Sequence, residues 1–192
     1  MLSTVAKVKA HVGIKESDTS KDAILEVILK GASKWIENKT GRNFELLERT
    51  EFYDGAGTDE LFLNQYPIDE VTEIKLSGTA IDMDAETAND NLIIDETMGS
   101  IFRRSGWPEG RKNISVKYTA GYVLPDTDES GETPNLPEDL ELAAIRLTAR
   151  VYERRTAEGV TSVSPASFSA NFASDVDSDI MATINHYRKL KV

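Results

Sequence analysis

The sequence predicts an α+β fold in which N- and C-terminal helices form a helical bundle around an inserted antiparallel β-hairpin region, about residues 44–122. Three observations lead there. Apolar residues recur at helical spacing near both ends of the chain. Between about 44 and 122 the pattern changes to short β-type runs separated by Gly, Asp and Ser. No internal repeat or clear inter-domain linker divides the chain, so all 192 residues read as one domain.

Residues 3–12 read as a short helix, with Ser3 as cap, Val5, Val8 and Val12 on one side, and Gly13 as stop. A longer helix follows over 21–40, capped by Thr19 or Ser20. Its stripe is Ile24, Leu25, Ile28, Ala32, Trp35 and Ile36, and Gly41 ends it. Gly31 lies inside this helix, where glycine costs up to about 1 kcal/mol relative to alanine. Close approach of another helix is one reason to keep it there. These residues, 1–43, supply the first half of the helical core.

The β-type runs are 48–53, 61–63, 71–76, 92–94, 101–103 and 113–119. Asp54-Gly55-Ala56-Gly57, Ser77-Gly78 and Met98-Gly99 punctuate them as hairpin turns. Ile114, Val116 and Tyr118 alternate with Ser115, Lys117 and Thr119, the mark of a strand with one buried face. Residues 123–136 form a loop rich in Pro, Gly and acids.

Pro137 then opens a strong helix, expected over 137–158 as the second half of the helical core. Glu138 and Asp139 stand in its first turn, and Leu140, Ala143, Ala144, Leu147 and Val151 form its stripe. Gly159 is its expected stop. Residues 160–177 are rich in Ser and Ala and carry Val163, Phe168 and Phe172, too polar for a core element and too apolar for a plain linker. Large apolar side chains on such a stretch need a neighbour to cover them, so the segment reads as an extended assembly arm with Val163, Phe168 and Phe172 as its interface. A last helix runs from Asp177 or Ser178 to about 189–190, with Ile180, Met181, Ile184 and Tyr187 as its stripe.

Composition narrows the function. There is no cysteine, which excludes disulfides, thiol catalysis and Cys-containing zinc sites. No apolar run approaches the roughly 18 residues of a membrane span, and the N-terminus is too polar for a secretory h-region, so the protein is expected in the cytoplasm when made. The net charge is −11, and residues 48–136 hold 19 Asp/Glu against 7 Lys/Arg. That acidic middle repels phosphate backbones and argues against a protein that grips DNA.

No cluster of catalytic or ligand residues emerges. His11 and His186 stand near helix ends without a His or Cys partner at ligand spacing. The run DMDAETANDN, with Asp82, Asp84, Glu86 and Asp90, fails as an EF-hand because Thr87 and Ile93 stand where Gly and Glu are needed. It reads as an exposed acidic loop. Gly55-Ala56-Gly57 lacks the Lys-Ser/Thr of a phosphate loop and reads as a hairpin turn. Arg103 and Arg104 beside Trp107 read as part of a turn with a buried ring, Trp107-Pro108-Glu109-Gly110. The expectation is no catalytic residue, no cofactor and no metal.

Four segments, in this order, resemble the head–tail connector (adaptor, head-completion) family of tailed bacteriophages and prophages. They are LKGASKWIENKTGRNF (29–44), YDGAGTDELFLNQYPIDEV (53–71), VKYTAGY (116–122) and LPEDLELAAIRLTARVYERR (136–155), with INHYRKL (184–190) after them. The resemblance implies a non-enzymatic virion protein of the neck between head and tail. It implies a ring of identical subunits, expected to be a dodecamer, docked beneath the portal protein. Such a ring extends the DNA channel, lets DNA pass without specific binding, and offers a platform to a neck, stopper or tail-completion protein. The large hairpin region departs from smaller members, which are nearly all helical. Two rivals remain at this level: another morphogenesis role, in tail completion or on the capsid, and a virion-associated hydrolase.

Overall fold

The computed structural model describes residues 1–126, 133–157 and 176–189. Helices and antiparallel sheets make the fold α+β. The chain divides into two compact units, one of Met1–Phe44 with Val123–Lys189 and one of Glu45–Tyr122.

The first unit is helical. Helix α1 spans Val5–His11, and its cap is Thr4, whose side chain accepts from the Lys7 amide. Ser3, the expected cap, is instead fully buried, and its hydroxyl donates to Glu141 at 2.9 Å. Helix α2 spans Asp22–Thr40. A 3₁₀ turn over Thr19–Lys21 leads into it, capped by Asp18 rather than by Thr19 or Ser20. The reason is local: the Asp18 carboxylate reaches the Ser20 amide at 3.0 Å, so the capping bond forms one turn early. Gly41 closes α2 in the left-handed region, φ 69°, where a side chain would add steric cost. Leu25, Ile28, Leu29, Ala32, Trp35 and Ile36 of α2 are buried.

Helix α4 spans Glu138–Ala157, and the Leu140 and Glu141 amides donate to the Pro137 carbonyl. Proline suits that position because its missing N–H would have had no helical partner. Leu140, Ala143, Ala144 and Leu147 are buried as the stripe demands. The last helix, α5, spans Ser178–His186, ending earlier than the expected 189–190. Beyond it, Tyr187 sets its ring edge-on to Phe44 at 6.2 Å and the Lys189 amide donates to the Thr40 carbonyl. Helices α2 and α4 pack against one another, and α1 and α5 each contact both. The expected stop at Gly159 and the arm residues Val163, Phe168 and Phe172 lie outside the described residues.

The second unit holds two sheets around one core. The four-stranded sheet runs β1–β7–β3–β4, with β1 Leu47–Gly55, β3 Ile68–Leu76, β4 Thr79–Ala80 and β7 Gly110–Ala120. The three-stranded sheet runs β2–β6–β5, with β2 Glu60–Phe62, β5 Leu92–Asp95 and β6 Ser100–Arg103. All strand pairs are antiparallel. Ile114, Val116, Tyr118 and Ala120 of the central β7 are fully buried, as alternation predicts. They share a core with Leu61 of β2, Ile74 of β3, Leu92 of β5, Ile101 of β6 and Trp107.

Two of the three expected hairpins form, β3–β4 through Ser77-Gly78 and β5–β6 through the turn at Met98-Gly99. Asp54–Gly57 does not make the third. Strand β1 pairs with the distant β7, from Leu47↔Ala120 onward, so Asp54–Gly57 carries the chain from one sheet to the other. Glycine is required at 55 because a Cβ there would lie 1.8 Å from the Pro108 carbonyl oxygen. The acidic run is not a loop either. Met83–Ala88 form a one-and-a-half-turn helix, α3, because Asp82 caps it by accepting from the Ala85 amide at 3.0 Å.

Candidate assembly surfaces

The residues singled out for chemistry are placed apart. His11 lies on α1 and His186 on α5, both exposed, the latter against the Tyr187 ring at 5.3 Å. Among the described residues no group of three His, Cys, Asp or Glu side chains is placed to hold a metal ion. Glu86, in the acidic run, pairs with Arg103 at 3.1 Å and accepts from Asn91. Arg103 also donates to the Gly106 carbonyl at 2.9 Å and lies over the Trp107 ring at 5.9 Å. Trp107 is 1 % exposed and donates through Nε1 to the Ile101 carbonyl, so this ring is a core anchor.

One polar cluster inside the second unit is strongly perturbed. The Glu51 carboxylate accepts from Tyr53 Oη, from Tyr118 Oη at 2.8 Å and from Asn64 Nδ2 at 2.9 Å. The Asn64 and Gln65 amides donate to the two phenol oxygens in turn. Burial above all, with the Glu51 charge beside it, pushes both phenol pKa values well above the usual tyrosine range. Both phenols therefore remain donors, and the cluster ties the β2–β3 connection to the large sheet. Its bonds make it a latch on that connection.

Charge pairs join α4 to α5 and its cap residue. Arg146 bonds Asp179 at 2.5 Å, Arg150 bonds Asp177, and Tyr187 Oη donates to Asp139 at 2.6 Å. The Arg146 hydrogen bond, with the Ile180 amide after it, lowers the Asp179 pKa.

What remains is surface. The outward face of the four-stranded sheet is polar, with Lys117–Glu48 at 3.1 Å and Lys75–Glu73 at 2.6 Å, and Phe52 stands on it 62 % exposed. The outward face of the three-stranded sheet is different. Strand alternation and register put Phe62, Phe102 and Ile93 on it, with Ile93 directly opposite Phe102. Ile93 is 52 % exposed and Met98, in the adjoining turn, 51 %. Glu60, Asp95 and Glu96 are exposed around these residues, and the nearest cation in sequence, Arg103 at the end of β6, pairs with Glu86. Sequence reasoning passed over this face, yet its signal is legible. Leu61-Phe62-Leu63, Leu92-Ile93-Ile94 and Ile101-Phe102 are unbroken apolar runs, as in strands covered on both faces.

On the first unit, α2 turns Val27, Lys30, Lys34 and Asn38 outward, opposite its buried stripe. Val27 is 43 % exposed. Gly31, half-buried, falls on the same stripe, one turn from Val27 and from Lys34.

A model of the family described as "Head completion protein" matches residues 1–190. Among solved structures, a chain in the neck of an empty GTA particle, computed with C6 symmetry, is similar at TM-score 0.61 and 20 % identity, over 100 % of this chain and 91 % of that one. A chain in the neck of a native GTA particle, computed with C12 symmetry, gives TM-score 0.58 and 19 % identity over 98 % and 89 %. A chain from the virion of the native gene transfer agent particle gives 0.61 and 20 % over 100 % and 91 %. No curated protein matches the chain in sequence.

Proposed function

The chain belongs to the head completion protein family, and on that premise we propose that it is a structural virion protein, a head–tail connector (adaptor) subunit of the neck. Copies of it form a ring under the portal protein, extend the DNA channel, and present the platform on which a neck, stopper or tail-completion protein docks. The single observation that carries this reading is the extent of the family match, which runs over residues 1–190 and so takes in both compact units.

The parts then take roles. The whole chain works as one connector domain. Helices α1, α2, α4 and α5 act as the bundle that keeps the subunit rigid, and the β-rich unit is its insertion. The similar chains stand in necks computed with C6 and C12 symmetry, which favours a ring of twelve. The protein catalyses no reaction and needs no cofactor or metal. Its place is the virion neck, and among the described residues no helix is long and apolar enough to cross a membrane. Val163, Phe168 and Phe172 belong to an arm that reaches a neighbouring subunit or the portal; covering them recovers about 25 cal/mol for each Å² of apolar surface removed from water.

Complementation tests the role. Particles made without this protein should accumulate as filled heads without tails, and adding the purified protein should restore joining to tails. Heads that join tails equally well without it would contradict the reading. Phe168→Ser with Phe172→Ser should leave thermal melting nearly unchanged and weaken ring formation or portal docking. An unchanged assembly would remove the arm from the account.

A further inference from the structure

The outward face of the three-stranded sheet has features that its own unit does not explain. Phe62 and Phe102 are diagonal across β2 and β6, with Ser100 and Glu60 as their direct partners, Ile93 stands opposite Phe102, and Met98 in the β5–β6 turn is 51 % exposed. None of the four belongs to the unit's core cluster. Two half-buried phenylalanines beside exposed Ile93 and Met98, with carboxylates on the same face, are the composition of a contact surface rather than of scattered exposure.

Charge says which surface fits it. Residues 45–122 hold 16 Asp/Glu and 7 Lys/Arg, a net of −9, which leaves −2 of the total −11 for the rest of the chain. Two copies of this unit would repel each other face to face. The first unit is close to neutral and carries, on α2, an exposed apolar residue flanked by ammonium groups: Val27 with Lys30 and Lys34. Those lysines pair within α2, Lys30 with Glu26 at 2.5 Å and Lys34 with Glu37 at 2.9 Å. Exposed pairs of that kind contribute only a few tenths of a kcal/mol, so both ammonium groups are available to other carboxylates. Gly31, a costly residue in mid-helix, adds no side chain to the same stripe.

We propose that the Phe62–Phe102–Ile93–Met98 face of one copy, with Glu60 and Glu96 at its rim, docks on the Val27–Gly31–Lys34 stripe of α2 in the next copy. The contact joins two different surfaces, so it is heterologous, the kind that repeats around a ring and closes when the rotation allows. It rests on the ring reading above and assigns the surfaces that make the ring.

The test is a charge swap in the full chain, read by sedimentation velocity with and without purified portal ring. Glu60→Lys with Glu96→Lys should weaken self-association about tenfold or more, the scale expected for like charges set across an interface. Lys30→Glu with Lys34→Glu should do the same, and mixing the two variants should restore association. All four positions are exposed, but Glu60 also accepts from the buried Ser100 hydroxyl at 3.0 Å. Glu96→Lys alone should melt like wild type and still weaken association, which separates a lost contact from a lost fold. Ile93→Ser with Met98→Ser should weaken assembly without rescue by either charge variant. Variants that assemble like wild type, or two weakened variants that fail to rescue each other, would overturn the proposal. So would loss of portal binding with self-association intact, because the face would then serve another neck protein. If wild type itself forms no ring with or without portal, the ring reading fails first, a result separable from failure of the swap.

Discussion

Leu147 is 1 % exposed on α4. An aspartate there would leave a charge in an apolar interior with no partner, at a cost of about 3–5 kcal/mol. Leu147→Asp should therefore shift the urea midpoint far below that of wild type or prevent folding, and an unchanged midpoint would mean that the α4 stripe does not face the core. Glu51 makes the polar counterpart. It is the common acceptor for the buried Tyr118 phenol, the half-buried Tyr53 phenol and one side-chain amide. Glu51→Ala strands those donors and should cost about 1–3 kcal/mol. Tyr118→Phe in the Glu51→Ala background should then add much less than it does alone, because the bond it removes is already gone. A double-mutant cycle by chemical denaturation reads this, and simple additivity would show that the cluster does not act as one network.

Among the elements, α5 is the one whose attachment is most openly electrostatic. Arg146 holds the Asp179 pKa below its ordinary value. The folded state thus favours the ionised carboxylate, and its contribution is full above the ordinary carboxylate range and lost as pH falls through the depressed value. Wild type should exceed Asp179→Asn in melting temperature near pH 6, and the gap should close toward pH 3. A gap independent of pH would mean that the pair does not secure α5. How legible each element was follows from the kind of signal it carries. Helices α2 and α4 announce themselves by periodicity over five turns and by Gly41 and Pro137 at their ends. Strand β7 announces itself by strict alternation. Strand β4 has two residues and no pattern to read. Helix α3 was hidden because Asp82, Asp84 and Glu86 look like solvated loop until Asp82 is seen as a cap. The β1–β7 pairing is non-local, and no feature at Asp54–Gly57 distinguishes a hairpin turn from a crossing between sheets. The apolar outer face of the small sheet was written in three unbroken runs, but short runs alone do not tell which face lacks a cover within the chain.

For the whole molecule, the uneven charge is the property that links sequence to role. An acidic subunit in a channel repels the DNA that passes through it. Purified protein should therefore show no appreciable shift of duplex DNA at physiological salt. Tight binding that falls steeply with salt would instead reveal a basic track. The family match gives the role, the two units give the parts, and the ring is the claim on which the rest depends. The most direct measurement is electron microscopy of the purified full-length chain mixed with its portal ring, with the mass of the complex checked by sedimentation. The account predicts a second closed ring of this protein stacked coaxially on the portal, with twelve copies. Monomers that leave the portal bare would contradict it.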